Sequence, residues 1–256
     1  FDEQTQLRTI FNVGAGVDAL MQLRLPPQAL VVRLDDAGMA VQMAEYVCHA
    51  VSQYTRGFDR YQSDAHDATW VRRPPLNRAE FPVGILGLGV LGQRVAQALQ
   101  HFEYPVLGWS RTPKTISGVR CYAGPSQLAE FLASSRLLVC LLPLTPETKG
   151  ILNLATLSQL QPKGYLINVA RGAHLVEADL LTLLDSGHLA GATLDVFRTE
   201  PLPPSHPFWR HPRIRVTPHI SASTVPCQSM AQIVGKIQAL ARGEPVRAIV
   251  NPNHGY

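Results

Sequence analysis

Short apolar runs alternate with longer stretches of helical periodicity between residues 81 and 218. The short runs are rich in Leu and β-branched residues, whereas the longer stretches repeat apolar residues at helical spacing. This alternation is typical of βαβ units, which form a parallel sheet with both faces covered by helices. The predicted strands are 82–86, 104–109, 136–142, 165–170, 191–197 and 214–218, and the predicted helices are 91–102, 126–134 with Ser126 as its N-cap, and 177–186.

The pattern on either side of this block predicts a second, smaller unit. Residues 9–13 and 30–34 are apolar runs outside the βαβ series, and we interpret them as strands of that unit. Residues 39–61 fit one long helix with a broad aromatic face, which suits a core helix and the arm of a dimer interface equally well. A last helix over 226–242 is expected to end at Gly243.

A glycine-rich turn directly follows the first strand of the series and opens the next helix. Its sequence is Gly87-Leu-Gly89-Val-Leu-Gly92. Gly87 suits a tight turn, Gly89 would let the backbone approach a pyrophosphate, and Gly92 would let the helix pack closely on the strand. The N-terminus of the helix offers N–H groups and the positive end of its dipole to phosphates. We therefore predict that this turn binds a dinucleotide.

The end of the second strand indicates which dinucleotide is bound. NAD-binding folds of this kind place an acidic residue here to hold the ribose 2′-hydroxyl, but residues 108–114 contain no carboxylate. Ser110 and Thr112 can instead donate hydrogen bonds to a phosphate, and Arg111 and Lys114 supply positive charge. The sequence therefore predicts NADP (NADPH) as the cofactor in preference to NAD.

Three reactive side chains follow the last three predicted strands, where ligands bind in open α/β sheets. They are Arg171, Glu200 and His219. His219 is the natural proton donor when a ketone is reduced by hydride, and Glu200 would fix its tautomer and favour the imidazolium. Arg171 presents a planar fork that suits a carboxylate and can polarise the carbonyl. The trio predicts reduction of a small 2-oxoacid.

These segments resemble the D-isomer-specific 2-hydroxyacid dehydrogenase family over nearly the whole chain. Residues 12–18, 109–112 and 200–204 are also similar to the bacterial branch of the family that reduces glyoxylate and hydroxypyruvate. The motifs of the wider family, in its order, are 87–92, 142–148, 168–172, 194–197 with 200–202, and 217–219.

The resemblance implies an α/β fold of two domains. Residues 37–220, including the helix 39–61, would form a dinucleotide-binding domain around a Rossmann-type doubly wound parallel sheet. Residues 1–36 and 221–256 would form a smaller flavodoxin-like substrate domain. That domain would be incomplete at its N-terminus, because family members carry a further segment ahead of the position that matches Phe1.

The resemblance also implies roles for particular residues. The three strand-end residues would catalyse NADPH-dependent reduction of glyoxylate to glycolate and of hydroxypyruvate to glycerate. The backbone of Val13, Gly14 and Ala15, together with Arg171, would bind the substrate carboxylate. Asp195 would contact the nicotinamide carboxamide, and the long helix would be the arm of a homodimer. The expected cofactor-binding residues are Gly87, Gly89, Val90, Leu91, Gly92, Trp109, Ser110, Arg111, Thr112, Leu142, Pro143, Thr148, Ala170, Asp195 and His219.

Composition excludes several other classes of protein. A hydrophobic content of 46% and a charged content of 16% suit a globular enzyme. The net charge of +4 is spread without a basic stripe, so we expect no nucleic-acid partner. No apolar run is long enough to span a membrane, and the scattered cysteines form neither a disulfide framework nor a metal site. We expect a cytoplasmic enzyme; an NAD-linked 2-hydroxyacid dehydrogenase with another substrate, a dinucleotide-sensing protein and an inactive remnant remain alternatives.

Overall fold

The main feature of the structure, a computed structural model that describes residues 6–14 and 16–251, is a parallel sheet. Seven strands form this sheet in the spatial order β5-β4-β3-β6-β7-β8-β9, and two more, β1 and β2, form a separate parallel pair. The strands are β1 (Thr9–Asn12), β2 (Leu30–Arg33), β3 (Val83–Leu86), β4 (Val106–Ser110), β5 (Val119–Ala123), β6 (Leu137–Cys140), β7 (Gly164–Asn168), β8 (Leu189–Leu194) and β9 (Ile214–Val216).

The strand order confirms the predicted doubly wound sheet. From β3 the chain passes outward to β4 and β5, and it then returns to the other side of β3 to build β6, β7, β8 and β9. The direction of winding therefore reverses between β3 and β6, where Leu86 pairs with Cys140. The crevice outside the carboxyl ends of the strands at such a reversal is where doubly wound folds bind ligands.

Helices cover both faces of the sheet, and strand β6 shows why its residues are continuously apolar. Leu137 and Val139 pack into the cluster that includes residues of α1 and α3, whereas Leu138 and Cys140 face the cluster that includes residues of α4 and α6. The helices are α1 (Met39–Arg56), α2 (Phe58–His66), α3 (Val90–His101), α4 (Leu128–Ser134), α5 (Leu154–Leu157), α6 (Glu177–Asp185) and α7 (Pro226–Ala241).

The predicted strands are all present, but several end earlier than the apolar pattern does. The prediction 136–142 corresponds to β6, and 191–197 corresponds to β8. Leu142, Val196 and Phe197 remain buried after the chain has left the sheet, so hydrophobicity alone extends the strand too far. Strand β5 was missed, because it lies at the edge of the sheet and includes polar, partly exposed positions.

The single long helix predicted over 39–61 is wrong. Gly57 adopts φ 61° and ψ 40°, and its N–H bonds to the carbonyls of Gln53 and Tyr54, which ends α1. This left-handed conformation costs glycine no steric energy, and α2 then begins in a new direction. The apolar face of α1 is buried against α3, so α1 is a core helix.

The helix start predicted at Ser126 is also wrong. Residues Pro125–Gln127 form a 3₁₀ turn, and α4 begins only at Leu128, with Gln127 in the N-cap position and no side-chain cap. Proline is favoured at the first position of a helical turn because its φ is fixed and its missing N–H needs no partner there. The proline therefore starts the turn before the serine can cap it.

The smaller unit joins the two ends of the described chain. Strands β1 and β2 pair in parallel, and Val31 and Arg33 of β2 form backbone hydrogen bonds with Val250 and Ala248. Val17, Val31 and Val250 form its small buried core. These contacts connect the segments predicted as one substrate domain, whose boundaries and flavodoxin-like form remain predictions.

Candidate active site

The turn between β3 and α3 has room for a pyrophosphate, and its three glycines lack side chains for different reasons. Gly87 has φ +102°, and a Cβ there would crowd the carbonyl of Leu141. A Cβ on Gly92 would collide with the carbonyl oxygen of Gly87. Gly89, by contrast, has nothing within 4 Å of its Cβ position. Since the fold does not require a glycine at Gly89, the open space there fits a closely approaching ligand.

Positive charge lies beside this turn. Helix α3 begins at Val90, and no side chain caps its N-terminus. The Lys114 ammonium donates to the carbonyl oxygen of Leu88 at 2.9 Å, and the Gln93 side chain donates to the same oxygen at 3.0 Å. The helix N-terminus and Lys114 together give the turn the electrostatics of an anion site.

The end of β4 forms a compact turn without an acidic side chain. The Ser110 hydroxyl donates to the carbonyl of Thr112 at 2.8 Å, which closes the turn on itself. Arg111 and Thr112 are exposed, and residues 106–116 contain neither Asp nor Glu. No carboxylate of this turn would therefore repel a 2′-phosphate.

Trp109 anchors the end of β4 in the core. Its indole is buried, and the indole N–H donates to the carbonyl of Gly124 at 2.8 Å.

The expected cofactor residues differ in their access to solvent. Gly89, Val90, Arg111, Thr112 and His219 are exposed, Leu91, Pro143 and Thr148 are half-buried, and Gly87, Gly92, Trp109, Ser110, Leu142, Ala170 and Asp195 are buried.

The loop after β6 is held by Thr148 and His174. The Thr148 hydroxyl donates to the carbonyl of Pro143 at 2.7 Å and accepts the N–H of Thr145 at 2.8 Å. The buried His174 ring lies between two backbone carbonyls, with Nδ1 3.1 Å from the Arg171 oxygen and Nε2 3.3 Å from the Pro143 oxygen. His174 therefore ties the loop after β6 to the loop that carries Arg171.

Burial also sets the charge of this histidine. It lowers the pKa of His174, although the carbonyls of Pro143 and Arg171 oppose the shift. The neutral ring can donate to only one of the two carbonyls at a time. No sequence pattern predicts a role for His174, because its two backbone partners are defined only by the folded loops.

The three predicted strand-end residues follow three adjacent strands. In the sheet, Asn168 of β7 pairs with Leu194 of β8, and Leu194 pairs with Val216 of β9. Because the strands are parallel, Arg171 and His219 both lie beyond the carboxyl ends of the strands. The structure thus delivers them to one end of the sheet, the end that also carries the glycine-rich turn.

Glu200 and His219 form a direct pair. The Nδ1 of His219 lies 2.8 Å from one carboxylate oxygen of Glu200, and the other oxygen accepts the N–H of Phe197 at 2.9 Å. Both side chains remain partly exposed. With Nδ1 engaged, Nε2 is the ring nitrogen available to a substrate.

Asp195 holds the turn on which His219 lies. One carboxylate oxygen accepts the Thr217 hydroxyl at 2.5 Å and the N–H of Ile220 at 2.8 Å, and the other accepts the N–H of Ser221 at 2.8 Å. His219 itself has φ 55°, a left-handed conformation that such a turn must impose on a non-glycine residue. The predicted contact of Asp195 with a nicotinamide remains a proposal.

Arg171 is fixed by several neighbours. Its Nη1 donates to the carbonyl of Ala170 at 2.7 Å, and its Nε donates to Asp18 at 3.1 Å. The side chain of buried Asn168 donates to the Arg171 carbonyl at 3.1 Å. Asp18 and Asn168 were not predicted as functional, although both lie within the motifs that carry the family resemblance.

The loop predicted to bind the substrate carboxylate leads to Gly16, which lies against the Arg171 guanidinium. The Asn12 side-chain amide donates to the carbonyls of Gly14 at 2.6 Å and Gly16 at 3.0 Å. The Val13 carbonyl accepts the Thr224 hydroxyl at 3.0 Å. These carbonyls are therefore already bonded within the protein, whereas Ala15 lies outside the described residues.

Two kinds of feature are absent from the described part of the chain. No group of three or more His, Cys, Asp or Glu residues there is placed to hold a metal ion. None of its helices is both long and apolar enough to cross a membrane.

The fold is that of a Rossmann-type dinucleotide-binding α/β protein. The family description "D-isomer specific 2-hydroxyacid dehydrogenase, NAD binding domain" matches residues 48–221. The chain belongs to the D-isomer specific 2-hydroxyacid dehydrogenase family.

Curated relatives and solved structures agree with this assignment. Glyoxylate/hydroxypyruvate reductase A of Serratia proteamaculans is 50% identical over 257 residues, covering 98% of this chain and 82% of the relative. The protein of the same name from Photorhabdus laumondii is 48% identical over 256 residues, with the same coverage.

Two of the similar structures contain the predicted cofactor. The D-isomer specific 2-hydroxyacid dehydrogenase of Xanthobacter autotrophicus, in complex with NADPH and MES, has a TM-score of 0.96 and 42% identity over 100% of this chain and 81% of that one. The NADPH-dependent glyoxylate/hydroxypyruvate reductase of Sinorhizobium meliloti, in complex with NADP and sulfate, has a TM-score of 0.93 and 38% identity over 98% of this chain and 80% of that one.

Proposed function

We propose that the chain catalyses the NADPH-dependent reduction of glyoxylate to glycolate and of hydroxypyruvate to glycerate. The observation that carries the proposal is the Glu200–His219 pair, at 2.8 Å. It lies at the carboxyl ends of the strands, as do Arg171 and the glycine-rich turn. The names and cofactors of the relatives described above support the same reaction. In it, a 2-oxoacid, NADPH and one proton give a 2-hydroxyacid and NADP.

The residues at the β3–α3 turn fit NADPH. The open space at Gly89 and the N-terminus of α3 suit the pyrophosphate, and the basic turn at Arg111 suits the 2′-phosphate. When bound, the cofactor supplies the hydride. The exposed backbone at Gly89 and Val90 would bind it, while Pro143 and Thr148 would border it from the loop after β6.

His219 supplies the proton in this mechanism. Negative charge develops on the carbonyl oxygen as the hydride arrives, and the N–H of His219 Nε2 donates to that oxygen. Glu200 accepts the N–H of Nδ1 and so keeps the ring oriented. Asp195 maintains the turn that presents the ring.

Arg171 binds and orients the 2-oxoacid. Its guanidinium forms charge-assisted hydrogen bonds with the carboxylate and polarises the adjacent carbonyl. The backbone N–H groups of Val13, Gly14 and Ala15 would complete the carboxylate site. This assignment leaves the group on the far side of the carbonyl to set selectivity, and hydrogen and hydroxymethyl are small.

The test compares substrates in one assay. We expect rapid NADPH oxidation, followed at 340 nm as the nicotinamide absorbance, with glyoxylate and hydroxypyruvate, slow oxidation with pyruvate, and very little with phenylpyruvate. A small pocket excludes bulk by steric clash, whereas one methylene changes binding by only about 1–3 kcal/mol. If kcat/KM for phenylpyruvate or a phosphorylated 2-oxoacid were tenfold higher than for glyoxylate and hydroxypyruvate, the substrate assignment would be wrong. Absence of turnover would favour a dinucleotide-sensing protein.

We further propose that a second copy of the chain covers the surface around α2. Trp70 is 94% exposed, the adjacent Val71 is exposed as well, and both border the same surface cavity as Tyr61 of α2. Large exposed apolar side chains are unfavourable in water and mark an interaction surface. Sedimentation should give a dimer, and Trp70→Ser should shift it toward monomer; a monomeric wild-type chain would contradict this. The cytoplasmic location expected from the sequence remains a prediction.

A further inference from the structure

Arg171 pairs with an acidic side chain that belongs to the smaller unit. Its Nε lies 3.1 Å from Oδ1 and 3.3 Å from Oδ2 of Asp18, 153 residues earlier in the chain. Asp18 follows β1 and lies beyond the loop proposed to bind the substrate carboxylate. Both side chains are mostly buried, at 30% and 23% exposure, so the pair is only partly screened by water.

The rest of the guanidinium is also fixed by close neighbours. Nη1 donates to the carbonyl of Ala170 at 2.7 Å. A Cβ on Gly16 would collide with Nη2 of Arg171, and it would lie 2.7 Å from Oδ1 of Asp18. A side chain at position 16 would therefore displace the guanidinium from this position. The guanidinium lies directly against the backbone of Gly16, which follows the predicted carboxylate loop.

We propose that Asp18 is a positioning residue for substrate binding. By accepting the Nε–H of Arg171, it holds the guanidinium against Gly16 with Nη2 beside the loop that receives the 2-oxoacid carboxylate. The proposal rests on the proposed function, since that function defines Arg171 as the carboxylate-binding group. It adds a residue from the smaller unit that acts only through Arg171.

The two possible roles of Asp18, as a negative charge and as a positioning group, predict opposite effects of its removal on substrate binding. As a negative charge next to an anion site, Asp18 repels the substrate, so its removal would tighten binding if charge alone mattered. As a positioning group, it restrains an arginine whose flexible chain would otherwise have to be ordered when substrate binds. Loss of Asp18 then weakens binding. The sign of the change in KM therefore distinguishes the two roles.

The experiment compares Asp18→Ala with Asp18→Asn. We expect Asp18→Ala to raise KM for glyoxylate at least tenfold while the dissociation constant for NADPH changes less than twofold. Asp18→Asn keeps one oxygen that can accept the Nε–H, and its KM should remain within about threefold of wild type. Asp35→Ala is the matched control, because Asp35 pairs with Lys236 at 3.2 Å in the same unit and changes the net charge equally. It should leave KM unchanged.

A readout without turnover separates this proposal from the reaction itself. Oxamate, a 2-oxoacid isostere, is titrated into each protein in the presence of NADPH and followed by calorimetry. We expect Asp18→Ala to weaken oxamate binding at least tenfold, with Asp18→Asn close to wild type. Unchanged or tighter oxamate binding by Asp18→Ala overturns the proposal, whether or not glyoxylate is reduced. A wild-type chain that binds no oxamate overturns it as well, because Arg171 would then bind no such carboxylate.

Discussion

Glu200 bonds at the same time to the Nδ1 of His219, at 2.8 Å, and to the backbone N–H of Phe197, at 2.9 Å. The second bond anchors the carboxylate within its own loop, so the glutamate sets the orientation of the ring. The arrangement leaves Nε2 as the ring nitrogen that can donate to a substrate.

Glu200→Gln should slow the reduction by loosening the orientation of the His219 ring. The single glutamine oxygen would have to replace two carboxylate oxygens, one bonded to His219 and the other to the N–H of Phe197. We expect kcat to fall at least tenfold in Glu200→Gln, and His219→Ala to reduce kcat by about 10²–10⁴-fold. Steady-state kinetics with glyoxylate and NADPH measure both effects. A wild-type kcat in Glu200→Gln would mean that the glutamate is only structural.

Gly89 and Gly92, three positions apart, should respond differently to substitution by alanine. Gly89→Ala places a Cβ in open space, so the fold should be unaffected while NADPH binding weakens at least tenfold. Gly92→Ala places a Cβ against the carbonyl of Gly87, so it should destabilise the fold by about 1–3 kcal/mol.

Cofactor titration and thermal unfolding of both variants check this pair. The expected result is weaker binding with an unchanged Tm for Gly89→Ala, and a lowered Tm for Gly92→Ala. Wild-type NADPH affinity in Gly89→Ala would show that the cofactor does not approach the backbone at this turn.

The sequence predicted the doubly wound sheet because local signals carry it. Each strand of the βαβ series has its own apolar run, and the glycine pattern from Gly87 to Gly92 lies between one strand and one helix. The location of the strand-end residues could be predicted equally well, because parallel strands place Arg171 and His219 at the same end of the sheet whatever the details of packing.

Partners that meet only through the tertiary fold could not be predicted. Asp18 and Arg171 are 153 residues apart, and no local pattern relates them. His174 bonds to carbonyls of two loops, so its partners have no side-chain signature in the sequence. The break between α1 and α2 had a visible signal in Gly57, but the helical stripe continued across it and outweighed that signal.

His174 should make stability depend on pH. Burial lowers its pKa in the folded protein, so below its ordinary value of ~6.5 the unfolded chain binds more protons. The free energy of unfolding should therefore fall as the pH drops through ~6.5 toward the lower folded value. Urea unfolding at pH 7.5 and pH 5.5 measures this loss.

In His174→Gln, the free energy of unfolding should decrease less between pH 7.5 and pH 5.5 than in wild type, whatever its value at pH 7.5. His101→Gln is the control, because His101 is exposed at the end of α3. In this variant the free energy of unfolding should decrease as much as in wild type. An undiminished loss in His174→Gln would mean that other groups account for the pH dependence.

Arg111 should determine the preference between the two dinucleotides. The turn after β4 offers no carboxylate to a 2′-hydroxyl, and a guanidinium forms strong charge-assisted hydrogen bonds with a phosphate. We expect wild-type kcat/KM to favour NADPH over NADH by more than tenfold, which is about 1.4 kcal/mol or more. Arg111→Ala should reduce kcat/KM for NADPH while leaving that for NADH nearly unchanged. Arg94→Ala, which removes an exposed arginine of α3, should alter neither value. Equal losses with both cofactors in Arg111→Ala would exclude a contact with the 2′-phosphate, because NADH has no such group to lose.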